Sequence, residues 1–141
     1  MEPIDVIRKG KNTYALFFQR DMAVDGARFL TPPDLPMQLG LMERPAGYMV
    51  EPHTHPKQKY SVQTMSEFLY IERGRIQATV FDEEWNVLME KELQAGDFLL
   101  FLRGGHKIDV LEDARMIEVK QGPFPGDGKA KIYRDSHACS C

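Results

Sequence analysis

The chain has 141 residues, of which 43% are hydrophobic and 28% are charged, and its formal net charge is -3. This length and composition are typical of one globular domain, and the hydrophobic content excludes an intrinsically disordered chain. The slightly acidic balance gives no support to binding of nucleic acid or of an anionic membrane surface.

The first residues of the chain are not typical of a targeting signal. Met1 to Asp5 lack the basic and apolar regions of a secretory signal peptide, and no later apolar run is long enough to cross a membrane. The two cysteines, Cys139 and Cys141, stand in the last three residues, where they cannot cross-link a core. We therefore expect a cytoplasmic protein whose C-terminal cysteines lie in an exposed tail.

Most of the chain consists of short apolar or aromatic runs that are typical of β-strands. Such runs, bounded by glycine, proline or aspartate turns, lie at residues 13–19, 37–42, 48–51, 67–72, 75–81, 85–90, 98–102, 106–111 and 114–120. Two of these runs flank Arg73-Gly74, which predicts a β-hairpin that turns at these two residues. The pattern predicts an all-β fold, an antiparallel sandwich or barrel, because closed forms avoid exposed strand edges.

Three of the four histidines and one glutamate are placed so that strands can bring them to a single point. His53 and His55 are separated by one residue, so on an extended strand both would project from the same face. Glu67 and His106 each share a strand face with apolar residues two and four positions later. A carboxylate on a buried face is costly unless it is paired or binds a metal. The four residues therefore predict a metal site; for the His-x-His pair, ordinary solvated side chains are the alternative.

Imidazole and carboxylate ligands suit a divalent transition metal, and iron, manganese, nickel, cobalt or zinc would each fit this set. Four protein ligands leave open positions on an octahedral ion. Water or a substrate can occupy them, which allows Lewis-acid catalysis or, with iron, reaction with O₂. A purely structural metal, closed by protein ligands, is a further alternative.

Candidates for proton transfer and substrate binding lie outside these four residues. Tyr60 and Glu118 are candidates for a catalytic acid or base, and Met49, Lys59 and Lys120 for substrate contacts. Glu118 and Lys120 alternate on one strand, so both face either a cavity or the solvent, and a solvated charged stripe is the commoner outcome. The sequence contains no nucleophile elbow, phosphate-binding loop or dinucleotide-binding motif.

The same residues resemble the two sequence motifs of the cupins, a family of small β-barrels of the jelly-roll type. The matching positions are Gly47, His53, His55, Glu67, Gly74, Gly96, Asp97 and His106. The resemblance covers roughly residues 36–122 and implies an antiparallel jelly-roll barrel. It also implies that the metal ligands are His53, His55, Glu67 and His106.

The chain departs from the cupin motifs at several points. The eleven residues between His55 and Glu67 form a longer gap than the first motif usually has, so residues 56–66 are expected to loop over the barrel mouth. The second motif lacks its usual proline, with Leu102 near that place, and Val110 stands where an asparagine is common. The end of the matching region is similar to bacterial cupins that accompany sugar or polysaccharide biosynthesis.

The resemblance implies a metal-dependent protein that acts on a small polar molecule, with a sugar derivative as one candidate. As an enzyme it would be an isomerase, an epimerase or a dioxygenase; the alternative is a non-catalytic protein that binds or senses a small ligand. One domain is expected over residues 1–141, with residues 12–31 packing on the barrel or on a dimer partner and a tail at 124–141. A homodimer is also implied, and the candidate contact is the apolar strand from Tyr14 to Phe18.

Overall fold

Nearly every regular element is a β-strand, and the computed structural model describes residues 4–137, leaving aside the side chains of residues 136 and 137. The eight strands of this part of the chain are β1 (Ile4–Lys9), β2 (Asn12–Phe18), β3 (Gly26–Phe29), β4 (Gly40–Glu43), β5 (Glu67–Phe81), β6 (Val87–Gln94), β7 (Phe98–Phe101) and β8 (Gly105–Lys120). Two short helical segments follow, α1 (Asp127–Ala130) and a 3₁₀ turn (Arg134–His137). The prediction of an all-β fold is confirmed.

The strands form one strongly curled antiparallel sheet, a half-barrel, and a separate two-stranded ribbon. The sheet has the order β1-β2-β7-β5-β6, and β8 pairs with β5 along nearly its whole length. The ribbon consists of β3 and β4. The first and last strands of the order approach one another, since Asp5 of β1 forms an ion pair with Lys91 of β6.

Strand β5 is a single strand of 15 residues, so the prediction of a hairpin at Arg73-Gly74 is wrong. The 16-residue β8 pairs with β5 on both sides of Gly74, with register shifts between Ile71 and Ile76. Gly74 has a φ of 87°, and a Cβ atom there would collide with the main-chain oxygen of Asp113 on β8. The glycine permits a bulge and a close strand approach instead of a turn, because a long partner strand continues the ladder.

Apolar side chains pack on both faces of the curled sheet and give two cores. Alternate residues of β2 divide between them, Ala15 and Phe17 on the inner face, Leu16 and Phe18 on the outer face. The inner core also includes Ile7, Leu69, Ile71, Ile76, Ala78, Val80, Leu93, Leu99 and Phe101. The ribbon and the segment between its two strands cover the outer core through Leu30, Met37, Leu39 and Leu41.

Strand β2 lies between β1 and β7 of its own chain. Every side chain from Tyr14 to Phe18 is buried, with exposed fractions of 3% or less. This strand therefore offers no exposed surface on which a partner could dock.

Residues 44–66 form a long segment without strands or helices. His53 and His55 lie in its middle, so the prediction that they occupy a strand is wrong. Pro52 and Pro56 flank the pair, and proline has no N–H to donate to a β-ladder. All side chains from residue 44 to residue 63 are exposed to solvent.

The turn between β5 and β6 is organised by Asp82, a buried carboxylate. It accepts a hydrogen bond from the Lys9 ammonium at 2.7 Å and further bonds from the backbone N–H groups of Glu84 and Asn86. The hydrogen bond from Lys9 contributes most, and together these contacts hold the pKa of Asp82 well below its usual range.

Asp82→Asn is expected to destabilise the protein at neutral pH and much less in acid. Because the folded-state pKa is depressed, the carboxylate stabilises the fold fully above its ordinary pKa of 3.8, and this stabilisation is lost as pH falls below that value. Melting temperatures of wild type and variant should therefore converge between about pH 5 and pH 2. Asp34→Asn, at an exposed position, serves as control. A gap between wild type and Asp82→Asn that stays constant over this range would contradict the assignment.

Candidate functional site

Glu67 and His106 meet at the rim of the inner face of the half-barrel. Glu67 is the first residue of β5 and lies on the same strand face as the buried Leu69. His106 is the second residue of β8, two positions before Ile108, which packs on the inner core. Although the two residues have different strand partners, the curl of the sheet brings Glu67 Oε2 to 3.6 Å from His106 Nε2.

The surroundings of this pair favour a neutral imidazole. The His106 ring stacks on Phe101, with ring centroids 3.9 Å apart and planes 7° from parallel, and burial lowers the pKa of His106. Burial raises the pKa of Glu67, and the neighbouring carboxylate of Glu118 raises it further. The contact is therefore not an ion pair while the imidazole is neutral, and neutral imidazole is the form of histidine that binds metal ions.

Both side chains line a partly open cavity of about 920 Å³. Its walls come from the ends of β5, β7 and β8, from the turn after β5, and from residues 123–135, which we call the C-terminal segment. A cavity of this size can hold a small organic molecule. The sequence predicts a tail over residues 124–141, whereas the structure makes the described part of it a wall of the cavity.

Glu118 and Lys120 also line the cavity. Lys120 Nζ lies 3.1 Å from Glu118 Oε1 and 4.3 Å from the centroid of the Phe124 ring. The sequence leaves open whether these two side chains face a cavity or the solvent, and in the structure both face the cavity. Both side chains remain partly exposed, so a bound ligand can reach them.

The histidine pair of the loop lies apart from Glu67 and His106. The His53 and His55 rings are 5.2 Å apart edge to face, and His53 Nδ1 is 2.8 Å from the Glu51 carbonyl oxygen. Within residues 4–137, no three or more His, Cys, Asp or Glu residues are placed to hold one metal ion. Three residues that the sequence suggests for catalysis or substrate binding are exposed and do not belong to the described lining of the cavity: Met49, Lys59 and Tyr60.

The chemistry of the Glu67–His106 pair fits part of a metal site. One carboxylate oxygen and one imidazole nitrogen 3.6 Å apart are compatible with two ligands about 2.1 Å from a shared divalent ion. A set of four ligands requires residues 44–66 to approach the cavity. The structure therefore brings together two of the four predicted ligands.

Sequence reasoning missed the residues that complete the cavity wall. Arg103 and Trp85 stand beside the turn after β5, and Lys131 and Tyr133 belong to the C-terminal segment. The available signal was the presence of Phe124, Ile132 and Tyr133 in an otherwise polar stretch. Cys139 and Cys141 lie outside the described residues.

Neither helical segment within residues 4–137 has the length and apolar character required to cross a membrane.

No protein-family model matches the chain, and no curated protein or solved structure matches it either. The function is therefore inferred from the cavity and from the side chains that line it.

Proposed function

We propose that the cavity binds a small polar molecule and that Glu67 and His106 hold a divalent transition metal within it. The observation that supports this most directly is the 3.6 Å approach of Glu67 Oε2 and His106 Nε2 at a cavity of about 920 Å³. An imidazole and a carboxylate are suitable ligands for iron, manganese, nickel, cobalt or zinc. The cupin resemblance names the same two residues.

We propose further that His53 and His55 complete the ligand set when residues 44–66 fold towards the cavity. Ser66, at the end of this segment, already lines the cavity, and its N–H donates to Gln121 Oε1 at 2.7 Å. The chain from His55 to Ser66 can span at most about 36 Å, which suffices to cross a small domain. The exposed Tyr48, at 51%, would gain from such packing because apolar surface would leave water.

When bound, a divalent metal would supply Lewis-acid polarisation of a substrate oxygen. Around it, Glu118 is placed to accept or donate a proton, and Lys120 is placed to contact an anionic group. This arrangement supports a proton-transfer enzyme such as an isomerase or epimerase. A non-catalytic ligand-binding protein is the second candidate, and it is supported by the Lys120–Glu118 ion pair, which engages the carboxylate that would transfer the proton.

Metal analysis and Co²⁺ titration test the proposal. Protein purified without added metal, and chelator-treated protein titrated with Co²⁺, should each reach one ion per chain, with visible absorption bands that report oxygen and nitrogen ligands. No binding at micromolar Co²⁺ would overturn it. Oxygen consumption by the iron-loaded protein would instead identify dioxygenase chemistry.

Removal of the metal is expected to lower the melting temperature by only a few degrees, because neither hydrophobic core includes any of the proposed ligands. Thermal scans before and after chelation measure the shift. Complete loss of cooperative melting after chelation would show that the metal is structural rather than functional.

We also propose a homodimer in which a second copy covers the edge of β8. In the described part of the chain β8 pairs with β5 alone, so its other edge has unpaired N–H and C=O groups. Apolar side chains of β8 that are more than a third exposed are Val110, Leu111, Met116, Ile117 and Val119. An exposed edge with this composition is suited to pairing with another strand.

The double substitution Ile117→Lys and Val119→Lys is expected to convert the dimer to a monomer, because charges oppose burial of the β8 edge. Size-exclusion chromatography with light scattering at micromolar concentration measures this. Met42→Lys, at a 68% exposed position on the ribbon, should leave the dimer intact. A monomeric wild type would refute the dimer.

A further inference from the structure

The cavity wall combines aromatic rings with ammonium groups beside the Glu67–His106 pair. Its aromatic residues are Phe81, Trp85, Phe101, Phe124 and Tyr133. Three lysines, Lys107, Lys120 and Lys131, line the same cavity, and the last two lie closest to its aromatic C-terminal wall in sequence. We infer that the ligand of this cavity is a small aromatic carboxylate, an inference that rests on the proposed function because it concerns the same site.

The ring and the charge are adjacent in the structure. Lys120 Nζ lies 4.3 Å from the centroid of the Phe124 ring, a side chain that is 54% exposed although it lines the cavity. A planar ligand that packs on this wall would place its own anionic group within reach of Lys120. Aromatic pairs gain energy beyond their buried area, so the wall favours a ring over an aliphatic chain.

The ammonium groups can be recruited by a ligand carboxylate. Lys120 pairs with Glu118 at 3.1 Å and Lys131 with Asp127 at 3.4 Å, and all four side chains are about a third or more exposed. Exposed pairs of this kind contribute little energy, so a ligand can replace the protein carboxylates at low cost. Lys131 belongs to the C-terminal segment and Lys120 to β8, so the ligand would be held from two sides of the cavity.

A neutral polyol fits this wall less well. Beside the rings, Ile108 and Ile132 line the cavity, and hydroxyl groups buried against apolar side chains lose their hydrogen bonds to water. An aromatic carboxylate places its apolar part on the rings and its charge on the lysines.

The test compares four probes on the full chain, with and without Co²⁺: benzoate, its neutral analogue benzamide, acetate, which lacks the ring, and the neutral polyol glucose. Isothermal titration is expected to show binding of benzoate, and binding at least tenfold weaker for benzamide and for acetate. Lys131→Gln should weaken the binding of benzoate about tenfold, which corresponds to about 1.4 kcal/mol, because it removes a positive charge that faces the ligand carboxylate. The same substitution should leave the binding of the neutral benzamide unchanged. Phe124→Ala should weaken the binding of both ring-containing probes and leave the affinity for acetate unchanged.

Lys129→Gln is the matched control, because Lys129 lies in the same segment but is not part of the described cavity wall. Equal affinity for benzoate and acetate, equal affinity for benzoate and benzamide, or tighter binding of glucose than of benzoate would each overturn the inference. These outcomes are independent of the Co²⁺ titration that tests the metal proposal. A chain that binds Co²⁺ but not benzoate therefore retains the proposed function and loses the aromatic ligand.

Discussion

Glu67→Gln and His106→Gln are each expected to weaken Co²⁺ binding by more than about 100-fold. Loss of groups that only orient metal ligands costs about 10- to 100-fold in affinity, so loss of a ligand itself should cost at least as much. Glutamine preserves the size of either side chain approximately, while it removes the charge of Glu67 or the imidazole of His106. Titration of chelator-treated protein, followed by visible absorption, measures the effect.

Glu90→Gln is the control for this experiment. Glu90 is an exposed residue of β6 and does not belong to the described lining of the cavity. Its substitution should leave Co²⁺ affinity unchanged. If Glu67→Gln or His106→Gln retains wild-type affinity, any metal that the chain binds is held elsewhere, and the proposed site is refuted.

His53→Gln and His55→Gln separate a two-ligand site from a four-ligand site. If residues 44–66 fold towards the cavity, each substitution should weaken Co²⁺ binding about as much as loss of Glu67, and should change the absorption bands because one nitrogen ligand is removed. Wild-type spectra in both variants would show that the loop histidines remain solvent-exposed, as they are in the structure.

Gly74→Ala is expected to destabilise the fold by roughly 2–4 kcal/mol. Two effects add at this position. A φ of 87° is unfavourable for a side chain, and the new Cβ would collide with the main chain of β8 at Asp113, which cannot move without breaking the strand pairing. Chemical denaturation at constant pH measures the change in the free energy of unfolding.

Gly47→Ala isolates the conformational part of this cost. Gly47 has a φ of 89°, nearly that of Gly74, but a Cβ atom added to it would have no other atom within 4 Å. Its substitution should cost about 1 kcal/mol, since only the backbone preference is violated. Equal destabilisation by both substitutions would show that the close approach of β5 and β8 is not required for stability.

The predicted metal residues differ in how well sequence can place them. Alternation of its neighbours assigns Glu67 to an inner strand face, and the burial of Leu69 and Ile71 agrees with that assignment. The same pattern assigns His106 to an inner strand face together with Ile108 and Val110. Ile108 does pack on the inner core, but Val110 is 57% exposed. Alternation holds only as far as the strand stays regular, and β8 leaves the inner face as it approaches its bulges.

The loop histidines show the opposite outcome. Their i, i+2 spacing is compatible with a strand, but spacing carries no information on whether a partner strand exists. Pro52 and Pro56 interrupt hydrogen bonding on both sides of the pair, and the segment from residue 44 to residue 66 has no strand partner. Their position at the cavity therefore stays a proposal, which the fold by itself does not support.

The all-β class and the inner face of Glu67 can be predicted from the chain's residues alone, because both depend on the local alternation of apolar and polar residues. Three features could not be predicted in this way: β5 continues through Gly74, Glu67 meets His106, and residues 123–135 contribute to the cavity wall. Each of these depends on which strands pair and on how strongly the sheet curls. Such properties arise from contacts between residues far apart in the chain, and no local pattern encodes them.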